Sequence, residues 1–247
     1  MDSRPDSRLV NVVVDADDPV RLAHWWRQAL DWRLGYADAD ETDVVPPEGE
    51  PGIELVFLHA PGTKQGPNRV HLDLDSSSPA DQRETVEFLL DLGARRVDVG
   101  QGNAPWAVLA DPEDNEFCVL DPRPEYDGTG RVAAIVCLAA DPPAQARFWS
   151  PLAGMSVVRS SPRVAALRGA GGPYLEFVAS STPHTVKNRW HLDVRATAHG
   201  RGRDRVLADA RDAGARHVDI GQGTGVSWTV LADPEGNEFC VLSGTTG

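Results

Sequence analysis

Apolar residues along this chain fall into two rhythms that alternate in a fixed order. Residues 9–15, LVNVVVD, are β-branched and alternate with a period of two, which predicts a strand. Asp17-Asp18-Pro19 interrupts it, and Pro19 suits a helix start because its missing N–H would be unpaired there anyway. From Val20 to Leu30 the apolar Leu22, Trp25, Trp26, Ala29 and Leu30 recur at helical spacing. Short strands follow at Trp32–Ala37 and Gly52–Leu58, separated by an acidic, Pro-rich stretch from Asp38 to Pro51 that reads as a loop. The order then restarts. Val70–Asp75 is a strand, and Pro79–Leu92 is a helix with Val86, Leu89 and Leu90 on one side, closed by Gly93 just past its end. Arg95–Val99 and Trp106–Ala110 read as strands, and a last hairpin ends at Leu120.

That hairpin, Val108–Leu120, reads VLADPEDNEFCVL, and it returns as Val230–Leu242, VLADPEGNEFCVL, with Asp114 replaced by Gly236. Each copy reads as strand, tight turn, strand. Gly236 accepts the left-handed backbone such a turn needs, and Asp is among the few other residues that tolerate it. The rest of the order replays too. Val132–Ala139 stands for the first strand, Arg147-Phe148-Trp149 for His24-Trp25-Trp26, and Tyr174–Val178 for Glu54–Leu58. Asn188–Asp193 stands for Asn68–Asp73, Gly214–Gly223 for Gly93–Gly102, and Trp228 for Trp106. A repeat of this length is duplication. It predicts an α+β chain of two modules, residues 9–121 and 131–243, each of paired βαβββ units. The Pro- and Gly-rich residues 122–130 would link them, with loose ends at residues 1–8 and 243–247.

Composition narrows the function by exclusion. A net charge of −13 leaves no basic stripe for nucleic acid and no attraction to an anionic membrane. No apolar run reaches membrane-spanning length, and the N-terminus lacks the apolar core of a signal peptide, so a cytoplasmic protein is expected. Three cysteines, Cys118, Cys137 and Cys240, make no disulfide framework. Neither a P-loop, a dinucleotide fingerprint nor a G-x-S-x-G elbow is present.

Strand alternation picks out the residues able to meet a ligand. Leu72 and Leu74 would pack inward, leaving His71 and Asp73 on the opposite face, and the copy offers His191 and Asp193. These two pairs are candidate acid/base groups; hydrogen bonding within the sheet is the alternative role. Glu54 shares a face with Val56, and its counterparts are Tyr174 and Glu176. Cys118 shares one with Glu116 and Leu120, and Cys240 with Glu238 and Leu242. Trp106 and Trp228 would suit a flat organic ligand or the core, whereas Trp25, Trp26, Phe148 and Trp149 have core spacing. Glu54, Trp106, Tyr174, Glu176 and Trp228 therefore form the candidate ligand-binding set.

The DPE(D/G)NEF hairpins, the His-Leu-Asp strands and the strand–Asp-Pro–aromatic helix at each module's start resemble the vicinal oxygen chelate superfamily: glyoxalase I, bleomycin-resistance proteins and extradiol dioxygenases. The nearest resemblance is to the glyoxalase-like domain proteins of actinobacteria. It implies curved mixed sheets with helices outside and a small molecule on the concave face. It also implies a pseudo-dimer within one chain, leaving a homodimer open. In metal-bearing relatives four strand positions supply ligands, typically two histidines and two glutamates. Here those positions hold Asn11 and Ala134, Glu54 (or Val56) and Glu176, His71 and His191, and Cys118 and Cys240. Alanine cannot ligate and Asn is a poor ligand for zinc or iron, so no cofactor is expected. A divalent metal, if bound, would take His191, Glu176 and Cys240, or His71, Glu54 and Cys118. If the modules pair, it could instead take Glu54 and Asn11 with His191 and Cys240. The expected function is metal-free binding of a small organic molecule. The alternatives are a metal-dependent lyase or isomerase of glyoxalase type, and a metal-independent acid/base enzyme in the same pocket.

Overall fold

A computed structural model of the chain describes residues 5–62, 64–221, 223 and 225–246. The first half runs β1 (Ser7–Ala16), α1 (Pro19–Leu30), β2 (Arg33–Ala37), β3 (Glu41–Val45), β4 (Glu54–His59), β5 (Val70–Leu74), α2 (Pro79–Asp91), β6 (Arg95–Arg96), β7 (Ala107–Ala110) and β8 (Glu116–Val119). The second runs β9 (Val132–Ala139), α3 (Pro142–Ala153), β10 (Ser156–Ser160), β11 (Val164–Arg168), β12 (Tyr174–Ala179), β13 (Trp190–Thr197), α4 (Arg203–Asp212), β14 (Arg216–His217), β15 (Trp228–Ala232) and β16 (Glu238–Thr246). They build two mixed sheets of eight strands, in the orders β14-β15-β16-β13-β1-β4-β3-β2 and β10-β11-β12-β9-β5-β8-β7-β6. The fold is α+β, as the alternation of the two rhythms predicts. No helix among the described residues is long and apolar enough to cross a membrane.

By compactness the chain divides into unit 1 (Met1–Val12, Leu138–Ala170 and Glu176–Gly247) and unit 2 (Val13–Cys137 and Gly171–Leu175). In unit 2, α1 covers β2, β3 and β4, while α2 lies against β8. Trp25, Trp26 and Phe117 meet edge to face, with ring centroids 5.1–5.8 Å apart. In unit 1, α3 covers β10 and β11, and α4 lies on β13 and β16. There Phe148, Trp149 and Phe239 repeat the cluster at 5.0–6.0 Å. These rings are core, as their helical spacing predicts.

The repeated hairpin owes its polar residues to architecture. Asp111 Oδ1 accepts the backbone N–H groups of Glu113 and Asn115, both at 2.9 Å. Its Oδ2 accepts the Trp26 indole N–H at 3.0 Å and the Asn115 amide at 2.9 Å. Burial pushes the Asp111 carboxyl above the usual carboxylate range, and these donors pull it back. Glu113 accepts the N–H groups of Asp17 and Asp18, each at 2.9 Å, where β1 turns into α1. Unit 1 repeats the device with Asp233, Asn237 and Trp149, and with Glu235 on Ala140 and Asp141. At the turn itself, Asp114 has φ +67° and Gly236 φ +94°.

Several elements differ from expectation. The acidic stretch 38–51 contains β3, because Thr42-Asp43-Val44 is a β-branched run that pairs with β4 and is buried. Leu90 is half-buried, and Thr85 joins Val86 and Leu89 on the buried side of α2. The strand expected over Arg95–Val99 shortens to β6. Residues 1–4 and 247 lie outside the described residues. Beyond Pro5 and Asp6 the expected loose ends are strand: β1 opens at Ser7, whose hydroxyl donates to the Leu152 carbonyl at 2.9 Å, and β16 runs to Thr246. The stretch 122–130 is pinned as well. It carries a 3-10 turn at Pro124–Tyr126, with Tyr126 buried edge-on to Tyr174 at 5.5 Å. Gly130 ends it at φ +85°, where a Cβ would stand 2.3 Å from the Pro51 carbonyl oxygen.

Candidate functional site

Two small clusters of polar groups emerge from strand register. In unit 2, β5 and β8 run parallel with Asp73 beside Cys118. Because residues two apart share a face, His71 joins them. His71 Nε2 lies 3.5 Å from Asp73 Oδ1, and the histidine, carboxylate and thiol donors fall within 4.8 Å of one another. On the other flank of β5, β9 sets Ala134 beside Asp73 and Val136 beside His71. Burial foremost, and the neighbouring Asp73 charge after it, push the Cys118 thiol far above its ordinary range, so it stays protonated.

Unit 1 repeats the arrangement, with Asp193 beside Cys240 on parallel β13 and β16. His191 Nε2 lies 3.4 Å from Asp193 Oδ1 and 3.5 Å from Cys240 Sγ. The copies differ in access: side-chain exposure is 18% for His71 and 12% for Asp73, against 8% for both His191 and Asp193. Asp73 Oδ1 and Asp193 Oδ1 are both buried without a hydrogen bond, and in the closed copy so is His191 Nδ1.

Each cluster is bordered by the hairpin glutamate two residues before its cysteine. Glu116 accepts the Asn68 backbone N–H at 2.9 Å and pairs with the Lys64 ammonium. Glu238 accepts the Asn188 N–H at 3.1 Å and faces His184 Nε2 at 3.3 Å. The glutamates thus fasten the loops leading into β5 and β13. In this way they hold the strands that carry the histidines.

The other candidates are placed elsewhere. Glu176 is buried on β12, whose sheet contains neither β13 nor β16, so Asp193 stands third beside His191 and Cys240. Glu54 is half-buried on β4, in the sheet that lacks β5 and β8, so Asp73 stands third beside His71 and Cys118. The alternation rule put Asp73 and Asp193 on the right face but said nothing of which strand would lie alongside. Asn11 is buried on β1, and its Oδ1 has no hydrogen bond. Tyr174 is committed to the 3-10 turn, its hydroxyl donating to the Glu125 carbonyl at 3.0 Å. Trp106 lies under the Arg123 guanidinium, 5.6 Å from its ring centre, and Trp228 is exposed at the start of β15.

One titrating residue escaped the sequence. Asp43, on β3, is buried and has its pKa raised to about 7, by burial first and then by Glu54, Glu41 and Asp38. An aspartate inside the β-branched run Thr42-Asp43-Val44-Val45 was the available signal.

The four-ligand pattern of metal-bearing relatives does not fit unit 2, where Ala134 offers no donor atom. The three-residue clusters are alike in the two units: imidazole, carboxylate and thiol are all zinc ligands, and Asp73 Oδ1 and Asp193 Oδ1 are each buried without a hydrogen bond.

The glyoxalase-like domain family matches the chain twice, over residues 11–120 and 134–242. No curated protein matches it. Among solved structures, glyoxalase I from Zea mays aligns over 96% of this chain and 92% of its own, with TM-score 0.64 and 14% identity. A candidate dioxygenase from Bacillus subtilis subsp. subtilis str. 168 aligns over 99% and 87%, with TM-score 0.63 and 12% identity. At such identities the likeness is one of fold. The double family match covers most of the sequence, and the chain belongs to the glyoxalase-like domain family.

Proposed function

We propose that this protein binds a small polar organic molecule in unit 2, on the face carrying His71, Asp73 and Cys118, without the four-ligand metal centre of metal-bearing relatives. The observation that carries the reading is the access of the histidine: the His71 side chain is 18% exposed and within reach of solvent, whereas that of His191 is closed at 8%, and the aspartate beside each is buried. An imidazole and a carboxylate side by side offer both donors and acceptors, which suits hydroxyl or carbonyl oxygens on a ligand. The protonated Cys118 adds a weak donor and a soft wall.

A ligand screen by thermal shift, followed by calorimetry of the hits, tests this. Hits should be lost in His71→Ala and kept in His191→Ala. Hits that survive His71→Ala, or disappear equally in both variants, sink the proposal. The His71–Asp73 couple also has the parts of a proton relay, since its 3.5 Å separation lets the carboxylate steady a charged imidazole. Turnover of a bound hit by chelator-treated protein, lost in Asp73→Asn with binding retained, would make this site an acid/base enzyme.

A further inference from the structure

We infer that a cleft of unit 1, between the end of α3, the start of β1 and α4, binds an uncharged, flat aromatic molecule that carries one N–H or O–H donor. The cleft encloses about 460 Å³ and is lined by no residue of either His-Asp-Cys cluster. Its size lies within the range of small-molecule pockets and far above the water-sized voids of a packed core. Phe148, Leu152 and Val206 form part of its wall, exposed by 4%, 4% and 2%, and Met155 and Ala213 join them.

Duplication shows what is missing there. In unit 2 the Trp25 indole is 5% exposed, and its N–H donates to the Leu92 carbonyl at 3.1 Å. The helices correspond position for position. The Trp32 N–H donates to the Arg27 carbonyl as that of Met155 does to Ser150, and the Leu92 N–H to Phe88 as that of Ala213 does to Asp209. Where unit 2 has Trp25, Arg27, Trp32 and Leu92, unit 1 therefore has Phe148, Ser150, Met155 and Ala213. All of these replacements are smaller, and all of them line the cleft. Leu152 in place of Ala29 returns part of the volume. The surroundings of large-to-small exchanges relax only partly, and space remains.

The chemistry of the occupant follows from what the indole does in unit 2. A flat apolar ring suits the walls of Phe148 and Leu152, and its donor has the Ala213 carbonyl, the counterpart of the one that Trp25 serves. A charged ligand is disfavoured, because the charges at the rim are already matched. Arg201 donates to Asp6 at 2.7 Å and to Asp209 at 3.0 Å, and Arg205 pairs with Asp209 at 2.6 Å. The β1 wall is fixed as well. The Ser7 hydroxyl holds the Leu152 carbonyl, and at Gly154, φ +66°, a Cβ would stand 2.7 Å from the Ser7 carbonyl oxygen. A preformed cleft loses little entropy when it is filled.

Indole is the probe, titrated calorimetrically into the full chain. It should bind saturably and about tenfold more tightly than benzothiophene, which has the same shape but no N–H. Met155→Trp, and separately Phe148→Trp combined with Ala213→Leu, restore the residues of unit 2 and should each weaken indole binding at least about tenfold. Circular dichroism confirms that these variants are folded. His71→Ala should bind indole as wild type does, which separates this cleft from the ligand face proposed for unit 2. Wild-type protein without saturable indole binding would overturn the inference. So would equal affinity for indole and benzothiophene, undiminished binding in the folded variants that fill the cleft, or loss of binding in His71→Ala.

Discussion

Asp111→Ala offers the sharpest test of what the repeated hairpin does. The carboxylate is buried and serves four donors: the N–H groups of Glu113 and Asn115, the Asn115 side-chain amide and the Trp26 indole. Truncation leaves three of them buried and unpaired, on Trp26 and Asn115, since both residues are closed to solvent. At about 1–1.5 kcal/mol each, the loss is roughly 3–4.5 kcal/mol. Some of it is recovered, because burial already penalises the Asp111 charge. The net expectation is about 3 kcal/mol, a large share of what holds a domain of this size together. Urea unfolding followed by circular dichroism should show the transition of unit 2 about 2 M lower, at an ordinary slope. Asp233→Ala is the internal replicate, and its effect should be somewhat smaller, because the Trp149 indole bond is 3.3 Å against 3.0 Å for Trp26. A loss below about 1 kcal/mol in both variants would show that the motif does not clamp helix to hairpin, and would reopen a chemical role for it.

Other outcomes follow from single sites. Asp43 titrates near 7 in the folded chain, above its ordinary 3.8, so the stability it gives when protonated is complete below about pH 4 and lost as pH rises through about 7. Asp43→Asn should therefore match wild type at pH 4 and exceed it at pH 8, by on the order of 3 kcal/mol; parallel pH curves would refute this. Gly130→Ala combines φ +85° with a Cβ 2.3 Å from the Pro51 oxygen and should cost at least about 2 kcal/mol in thermal or urea unfolding. Cys118, Cys137 and Cys240 are all buried, so a thiol reagent should label the native protein slowly and all three sites at once in denaturant. Rapid native labelling of Cys118 would mean that its cluster opens far more than its burial allows.

Much was legible because it is local. Alternation at residues 9–15, helical spacing from Leu22 to Leu30 and the duplicated hairpin depend only on near neighbours, and they returned the α+β class and the repeat. The same period of two put His71 with Asp73, and Cys118 with Glu116. What it could not supply is which strands lie together. That the Asp73 and Asp193 carboxylates stand beside Cys118 and Cys240 follows from parallel pairing across sequence gaps of more than forty residues, which no local pattern encodes. For the same reason Glu54 and Glu176 left the sheets of their own module's histidine and cysteine: Glu54 shares a sheet with Asn11, His191 and Cys240, the paired alternative, and Glu176 shares one with Ala134, His71 and Cys118. Burial is likewise a tertiary property. Duplication made the two His-Leu-Asp strands alike in sequence, and only packing left one within reach of solvent and closed the other.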